Sequence, residues 1–495
     1  MCTHKATKPS CLVLFLALAL LHATVFKVSA DNLQAMPHNQ LGQQDKQNHR
    51  YLALRRALEL AVKNDPWLKG SQFQQDALLA NSMAASELPN PVLSLSLANL
   101  PTDGFAFDQE PMTQIKAGVS QMFGRGDSLA IKREQLERVA MRQPLLRQDR
   151  IAGTQVQVAL LWFDLFKFQQ SIALIENDRA LFEQLFEAVQ ASYASALNNV
   201  RQQDIVHAQL ELTRLEDRLT QLRLQQNMTK GQLAQWLVEH EFSARSINFD
   251  ETFILPEQAP NVANISPQLG QFIKQRDYTQ LAQYVSQHPR IQAIEQSIQA
   301  SQSGIELAEQ GYKAQWGVNA SYAYRADEPS GRSRADFFSV GVSLDLPLFT
   351  QNAQDQTRAA AISEAEALKT QKRLAIRAMI SEVKSLFAGY QGLQQRQSLY
   401  TQSLLVQMHE QAETALSAYT NNDGDFSDVV IARIDDLNAR IDMLGIKTEL
   451  LKLRVQLHYY SAGDNSHSSH SFISASTADD IANWQLAPIS LGGDL

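Results

Sequence analysis

The sequence predicts a mainly helical fold that carries membrane β-structure: long antiparallel α-helical coiled coils joined to a transmembrane β-barrel, with four strands per subunit and an internally duplicated plan. Three observations lead there. An N-terminal export signal precedes a mature chain without cysteine; helical periodicity runs over very long stretches; and four short segments alternate apolar with small or polar residues at a period of two.

The chain has 495 residues, 44% hydrophobic and 19% charged, with a formal net charge of -8. That describes a folded, mildly acidic protein with no basic surface for nucleic acid. Residues 1–30 carry Lys5 and Lys8, an apolar run from Cys11 to about Ala23, and then Val28-Ser29-Ala30, the layout of a cleavable signal peptide. Its core is too short to span a bilayer. Both cysteines, Cys2 and Cys11, fall in this segment, so the mature chain offers no thiol for a disulfide, a metal or nucleophilic catalysis. Cys11 precedes the apolar core and is not placed as a lipid-modified first residue. No later window of about eighteen apolar residues is expected, so an exported chain of this kind would enter a membrane as strands, in a bacterial outer membrane.

Along the chain, residues 31–50 are Gln/Asn/His-rich and expected to be disordered. A first repeat, 51–240, reads as helices Leu52 to Asn64 and about Leu68 to Glu87, strands Val92 to Leu100 and Met112 to Phe123, a helical run from Ser128 to about Gln190, a break near Tyr193 to Asn199, and a helix from Gln202 to Val238. After a linker, 241–265, the second repeat, 266–463, reads in the same order. Its helices are Ser266 to Gln287 and Ile291 to Ala314, its strands Trp316 to Arg325 and Phe337 to Leu346; a helical run from Asn352 to about Ala418, a break at Tyr419 to Phe426 and a last helix from Ser427 to Tyr460 follow. The tail, 464–495, contains SHSSHSFISAS. His458, His467 and His470 lack fixed spacing and read as a solvated segment rather than metal ligands.

Local echoes support the duplication. Gly-Val-Ser recurs at 118–120 and 341–343, the long runs end near Tyr193 and Tyr419, and Asp204-Ile205-Val206-His207-Ala208 lines up with Asp428-Val429-Val430-Ile431-Ala432. At about 1.5 Å per residue the long runs would reach roughly 90 to 100 Å. Leu174, Leu181, Leu185 and Val189 mark an apolar stripe suited to packed antiparallel helices. Pro144 is expected to kink or interrupt the first run. His207 reads as a packing or surface residue.

The strand segments share one parity rule. Ser94, Ser96, Lys116, Asn319, Ser321, Ser339, Ser343 and Asp345 are expected to face a water-filled lumen, and Leu93, Leu95, Val119, Tyr322, Val340, Val342 and Leu344 to face lipid. Trp316, Tyr324, Phe337, Phe338 and Phe349 suit interfacial girdles. The competing reading is a half-buried sheet covered by helices. Against it stand two widely separated hairpins with polar loops, Pro101 to Glu110 and Ala326 to Ala335. Four strands cannot close a barrel, so an oligomer must complete the wall.

Here the chain resembles the TolC family of outer-membrane efflux proteins, from about Tyr51 to Gly463. The resemblance rests on the duplicated helix–hairpin–helix plan, PNPVLSLSLANL (89–100), VSQMFGRGDSLAIKRE (119–134), LDLPLFTQNAQDQTRAA and YTNNDGDFSDVVIAR. The Asn-Pro-x-Leu-Ser-Leu run looks most like the branch serving heavy-metal exporters of the resistance-nodulation-division (RND) type. Where that branch usually has Gly-Gly-Lys-Arg, this chain has Gly124-Arg125-Gly126-Asp127.

The resemblance implies a homotrimer with a twelve-stranded barrel in outer-membrane lipid and a helical tunnel in the periplasm. A periplasmic membrane-fusion adaptor would join the tunnel tip to an inner-membrane RND-type pump. It also implies an acidic residue at the tip, matched by Asp428, with Asp204 equivalent in the first repeat. Ile431 stands where a second acidic ring would be, and Asp423 and Asp425 add charge nearer the turn. Asp428 reads equally as a cation-binding gate residue and as a helix cap, and Val429 and Ile431 read as packing.

No Gly-rich phosphate loop, His-Glu-x-x-His or Gly-x-Ser-x-Gly is present in the sequence, so no enzyme activity, cofactor or resident metal is expected. The leading reading is a passive export duct driven by a partner pump, with heavy-metal cations, drugs and proteins left open as its cargo. A type I secretion or multidrug duct, or a non-pore periplasmic coiled coil or adhesin, are the alternatives.

Overall fold

The computed structural model describes residues 51–195, 202–237, 253–421 and 423–463. The signal peptide, the segment 31–50, the first half of the linker and the tail with His467 and His470 lie outside the described residues.

Two sets of elements follow one another in the same order. The first comprises α1 (Leu54–Lys63), α2 (Pro66–Ser86), β1 (Val92–Ala98), β2 (Gln114–Met122), α3 (Ser128–Ser195) and α4 (Gln202–Leu237). The second comprises α5 (Pro267–Gln275), α6 (Tyr278–Ser286), α7 (Pro289–Gln310), β3 (Gln315–Tyr324), β4 (Phe337–Asp345), α8 (Gln354–Leu399), α9 (Leu405–Thr420) and α10 (Phe426–Tyr459). Predicted bounds fall within a few residues of these.

Four differences have local causes. The helix expected over 266–287 is two, because Arg276 takes a left-handed conformation (φ 56°) and the Asp277 carboxylate accepts from the Gln280 amide at 3.0 Å, stopping one helix and capping the next. Pro144 does not interrupt α3, a single helix of 68 residues. The buried Ala140, four residues back, and the packing of α3 against α2 and α7 hold the helix through the one hydrogen bond a proline removes. The second long run is divided by a π-helical turn, Tyr400–Leu404, which offsets one helical register without breaking the rod. It continues to Thr420, so Tyr419 belongs to the helix, as Tyr193 belongs to α3.

One stretch of α3 is also apolar enough to cross a membrane by composition, contrary to expectation. Val158, Trp162, Phe163, Leu165 and Phe166 within the helix are instead packed against α1 and the 255–262 segment, and the Trp162 Nε1–H donates to the Leu52 carbonyl at 2.8 Å. Two further apolar clusters complete the core. One joins α3, α4 and α10 through Ile175, Phe182, Val189, Leu215, Phe426 and Leu437; the other seats α5 and α6 on Met379, Val383 and Phe387 of α8.

Each set splices two helices end to end. Asn64 donates from Nδ2 to the Leu237 carbonyl at the end of α4 (2.8 Å), while the adjacent Asp65 caps α2. In the second set His288 does both: Nδ1 accepts from the Arg290 amide (3.2 Å), which leaves Nε2–H to donate to the Tyr459 carbonyl at the end of α10 (3.0 Å). His458 is likewise structural, its Nε2 lying 2.9 Å from the Ala263 carbonyl oxygen.

Candidate functional site

The four strands form one antiparallel sheet in the order β1-β2-β3-β4, so the two hairpins, far apart in sequence, meet along β2 and β3. The register decides what each face carries. Leu93, Val119, Ala320 and Val340 form one row across the sheet, and Leu95, Ala117, Tyr322 and Phe338 the next. On the opposite face Ser94, Gly118, Ser321 and Ser339 form a row, flanked by Val92, Ser120, Asn319 and Gly341.

All eight residues expected on the wet parity, Lys116, Ser343 and Asp345 among them, thus share one face. The seven expected on the greasy parity share the other. Nothing among the described residues covers the apolar face: Leu93 is 76%, Leu95 77% and Val342 66% exposed. The outer edges of β1 and β4 are unpaired among the described residues.

The Gly-Val-Ser repeats have a steric basis on the polar face. A Cβ at Gly118 would lie 3.0 Å from Ser94 Oγ and 3.2 Å from Ser321 Cβ, and one at Gly341 only 2.7 Å from Asn319 Oδ1. The cross-strand neighbours fill the space a side chain would need. Of the aromatics, Trp316 stacks on Phe123 (4.2 Å) at one end of the sheet, and Tyr324 on Phe107 (6.2 Å) at the other. Phe337 departs from expectation: it pairs with Ala323, lies on the polar face, and has the Arg325 guanidinium 4.0 Å over its ring.

Where sheet meets helices, sequence reasoning missed a clasp between the two sets. Arg125 pairs with Asp345 and donates to the Lys313 carbonyl (3.0 Å); Lys313 pairs with Asp127 (3.2 Å), whose amide donates to Gln310 Oε1 (3.1 Å). Gly126, at φ 47°, lets the chain turn between the partners. Asp345 thus shares the polar face but is held by Arg125. The signal was the departure at Gly124-Arg125-Gly126-Asp127, yet its partners lie some two hundred residues away.

At the far end, Asp423 and Asp428 line one open concavity of about 500 Å³ between α9 and α10, with Glu410, Thr414 and Ala418. The N-cap position of α10 belongs to Asp425, an exposed residue whose carbonyl accepts from the Asp428 amide (3.1 Å) and whose side chain caps nothing. Asp428 is exposed and its carboxylate makes no hydrogen bond among the described residues; it sits in the first turn, where the helix dipole favours negative charge. Asp204 is set apart. It lies half-buried in the first turn of α4, close enough to Tyr419 that burial, and then the Asp204 charge, push the Tyr419 hydroxyl above its ordinary value. Val429 is buried as expected, whereas Ile431 is 46% exposed and faces away from the core. His207 lines a shallow surface depression, its Nδ1 buried without a partner among the described residues. No cluster of His, Cys, Asp and Glu able to hold a metal ion occurs among the described residues.

The chain thus combines long paired helices with a four-stranded antiparallel sheet of one apolar and one polar face. Among solved structures, VceC of Vibrio cholerae, an outer membrane protein, is 14% identical and superposes with a TM-score of 0.65 over 82% of this chain and 96% of its own. The Campylobacter jejuni CmeC outer membrane channel is 12% identical, with a TM-score of 0.63 over 93% of this chain and 97% of its own. CusC, described in terms of folding and transmembrane channel formation, is 13% identical, with a TM-score of 0.64 over 83% and 93%. At such identities the likeness is one of fold. No protein-family model and no curated protein sequence matches the chain.

Proposed function

We propose that the protein is the outer-membrane duct of a tripartite efflux system, a TolC-family channel that conducts cargo passively from a periplasmic adaptor and an inner-membrane RND-type pump to the outside. One observation carries this: the sheet exposes a continuous apolar face, a polar opposite face and two unpaired edges. Exposed strand edges and greasy faces are stable only when covered. Three copies joined edge to edge would close a twelve-stranded barrel, with the apolar face to lipid and the polar face to water. Eight residues separate Trp316 from Tyr324 on the apolar face, about 26 Å of strand at about 3.3 Å per residue. At the usual tilt that becomes about 20 Å of height, near the apolar band of such barrels.

The helical rods would then stand in the periplasm, with the Asp423 and Asp428 carboxylates at the tip. Three copies of these acids around a narrow opening would favour cations and repel one another until hydrated or paired. A metal cargo draws its support from the PNPVLSLSLANL resemblance alone. The likeness to CusC is no greater than that to VceC.

The test is biochemical and electrical. Detergent-extracted protein should sediment as a trimer and form ion-conducting channels in a planar bilayer. A monomer that stays soluble without detergent and never conducts would overturn the duct.

A further inference from the structure

Apart from sheet and tip, the described residues line an open cavity of about 440 Å³ where α3, the end of α4, α8 and the end of α10 converge. That volume suits a small organic molecule. Its walls include Asp149, Gly153, Trp236, Glu382, Tyr459 and Tyr460, drawn from both repeats. On α3 the lining positions spread from about 160° (Val156) through about 180° to 220° (Asp149, Leu160, Gly153) to about 320° (Thr154) around the helix from Val158 at 100° per residue. Val158 is buried under α1, so most of the lining turns away from the α1 pad, while Val156 and Trp236 also pack at its margin. In a duct closed by three copies, pads placed outside would leave the passage open and turn most of this lining toward the lumen.

The charges favour a cation. The Arg150 guanidinium is engaged by Asp65 (2.8 Å) and flanked by the rings of Trp67 (5.9 Å) and Trp236 (5.6 Å). Asp149 accepts from the Tyr459 hydroxyl (2.7 Å), and Glu382 is exposed with no partner among the described residues. Arg290 stands beside Tyr459 and Tyr460. Asp65, Asp149 and Glu382 against Arg150 and Arg290 leave one negative charge uncompensated. The nearby His288 is buried, with its ring nitrogens committed to backbone partners. Around the acids stand three aromatic side chains, Tyr459 and Tyr460 packed edge to face at 5.0 Å, and the Trp236 Nε1–H is buried without a partner among the described residues. Aromatic faces beside an uncompensated carboxylate attract a soft, weakly hydrated cation.

We propose that this cavity binds monovalent organic cations with an aromatic body, and that in the duct it is a station for such cargo. The second clause rests on the channel reading above; the first does not. The purified full-length protein in detergent should bind ethidium saturably, measured by fluorescence polarisation, with tetraphenylphosphonium competing and an anionic naphthalene sulfonate failing to compete. Glu382→Gln and Trp236→Ala should each weaken ethidium about five- to tenfold, with oligomeric state and circular dichroism unchanged. Ser363→Ala, on the exposed side of α8 and remote from the cavity, should bind as the parent does. Absence of saturable binding, equal competition by the anion, or undiminished binding in both cavity variants would overturn the site. Conductance recorded on the same preparation separates the two claims: conducting protein without ethidium binding refutes the cavity alone, and binding without conductance refutes the duct alone.

Discussion

An arginine at Val342 and an arginine at Ser343 should have opposite consequences, although they are neighbours on one strand. Val342 pairs with Val318 and is 66% exposed on the apolar face; Ser343 pairs with Gly317 on the polar face. Val342 lies two residues from Leu344, which pairs with Trp316, and four from Phe338, which pairs with Tyr322, so it falls between the aromatic ends but nearer one of them. An arginine on the lipid face costs about 2–4 kcal/mol at mid-membrane and less toward the interface, so about 2 kcal/mol per chain is reasonable here. A barrel of three chains carries the change three times, about 6 kcal/mol, or roughly four powers of ten in the assembly equilibrium. Val342→Arg should leave little trimer in the outer membrane on unheated gels. Ser343→Arg should assemble normally but lower single-channel conductance and cation preference. Normal trimer with Val342→Arg, or lost assembly with Ser343→Arg, would refute the assignment of faces.

Asp428→Asn should reduce the cation-to-anion permeability ratio in bilayers and leave trimer stability nearly unchanged, since its carboxylate holds no hydrogen bond among the described residues; an unaltered ratio would leave it a dipole partner only. In a double-mutant cycle, Arg125→Ala and Asp345→Asn should couple by about 1 kcal/mol or less, read from the trimer's thermal transition, because the pair is partly solvent-screened. Burial, opposed mainly by the Asp149 charge, lowers the His288 pKa below its ordinary 6.5. The unfolded chain then binds the proton more readily, so stability should fall as pH drops below about 6.5 and level off below the lowered folded value. His288→Asn should flatten that acid limb, and an unchanged pH profile would contradict the assignment.

The parts legible in the sequence were those with a local period. Alternation in FFSVGVSLDLPLF assigns Val342 and Ser343 to opposite faces without knowledge of any partner strand, and the helical stripe in α3 was visible. The stripe centres on Ile172, Ile175, Phe182 and Val189, with Leu174 and Leu185 at its margin, because side-chain direction shifts the buried line. Illegible were features set by distant contacts. Arg276 adopts a left-handed conformation that no glycine announces, and α3 passes through Pro144 on the strength of its packing. The clasp of Arg125 with Asp345 and the cavity of Asp149, Trp236 and Glu382 join residues from different repeats, for which one sequence contains no spacing rule. Of the tip acids, the sequence grouped Asp204 with Asp428 by duplication, but the fold pairs Asp428 with Asp423 and turns Asp204 toward Tyr419.

The joints at Asn64 and His288 let two rods be assembled from helices of separate origin, to stand beside α3 and beside the run from α8 through the π-helical turn to α9. α3 provides one of 68 residues in a single piece. α4 followed by α2, of 36 and 21 residues, and α10 followed by α7, of 34 and 22, provide two more, each about 85 Å of helix at about 1.5 Å per residue. At each joint the carbonyl-rich tail of one helix abuts the amide-rich head of the next, so their dipoles align and terminal groups that water would otherwise solvate are satisfied internally. A polypeptide that must visit the sheet midway through each repeat can in this way still present an uninterrupted column, because the column's continuity resides in the joint rather than in the order of the chain.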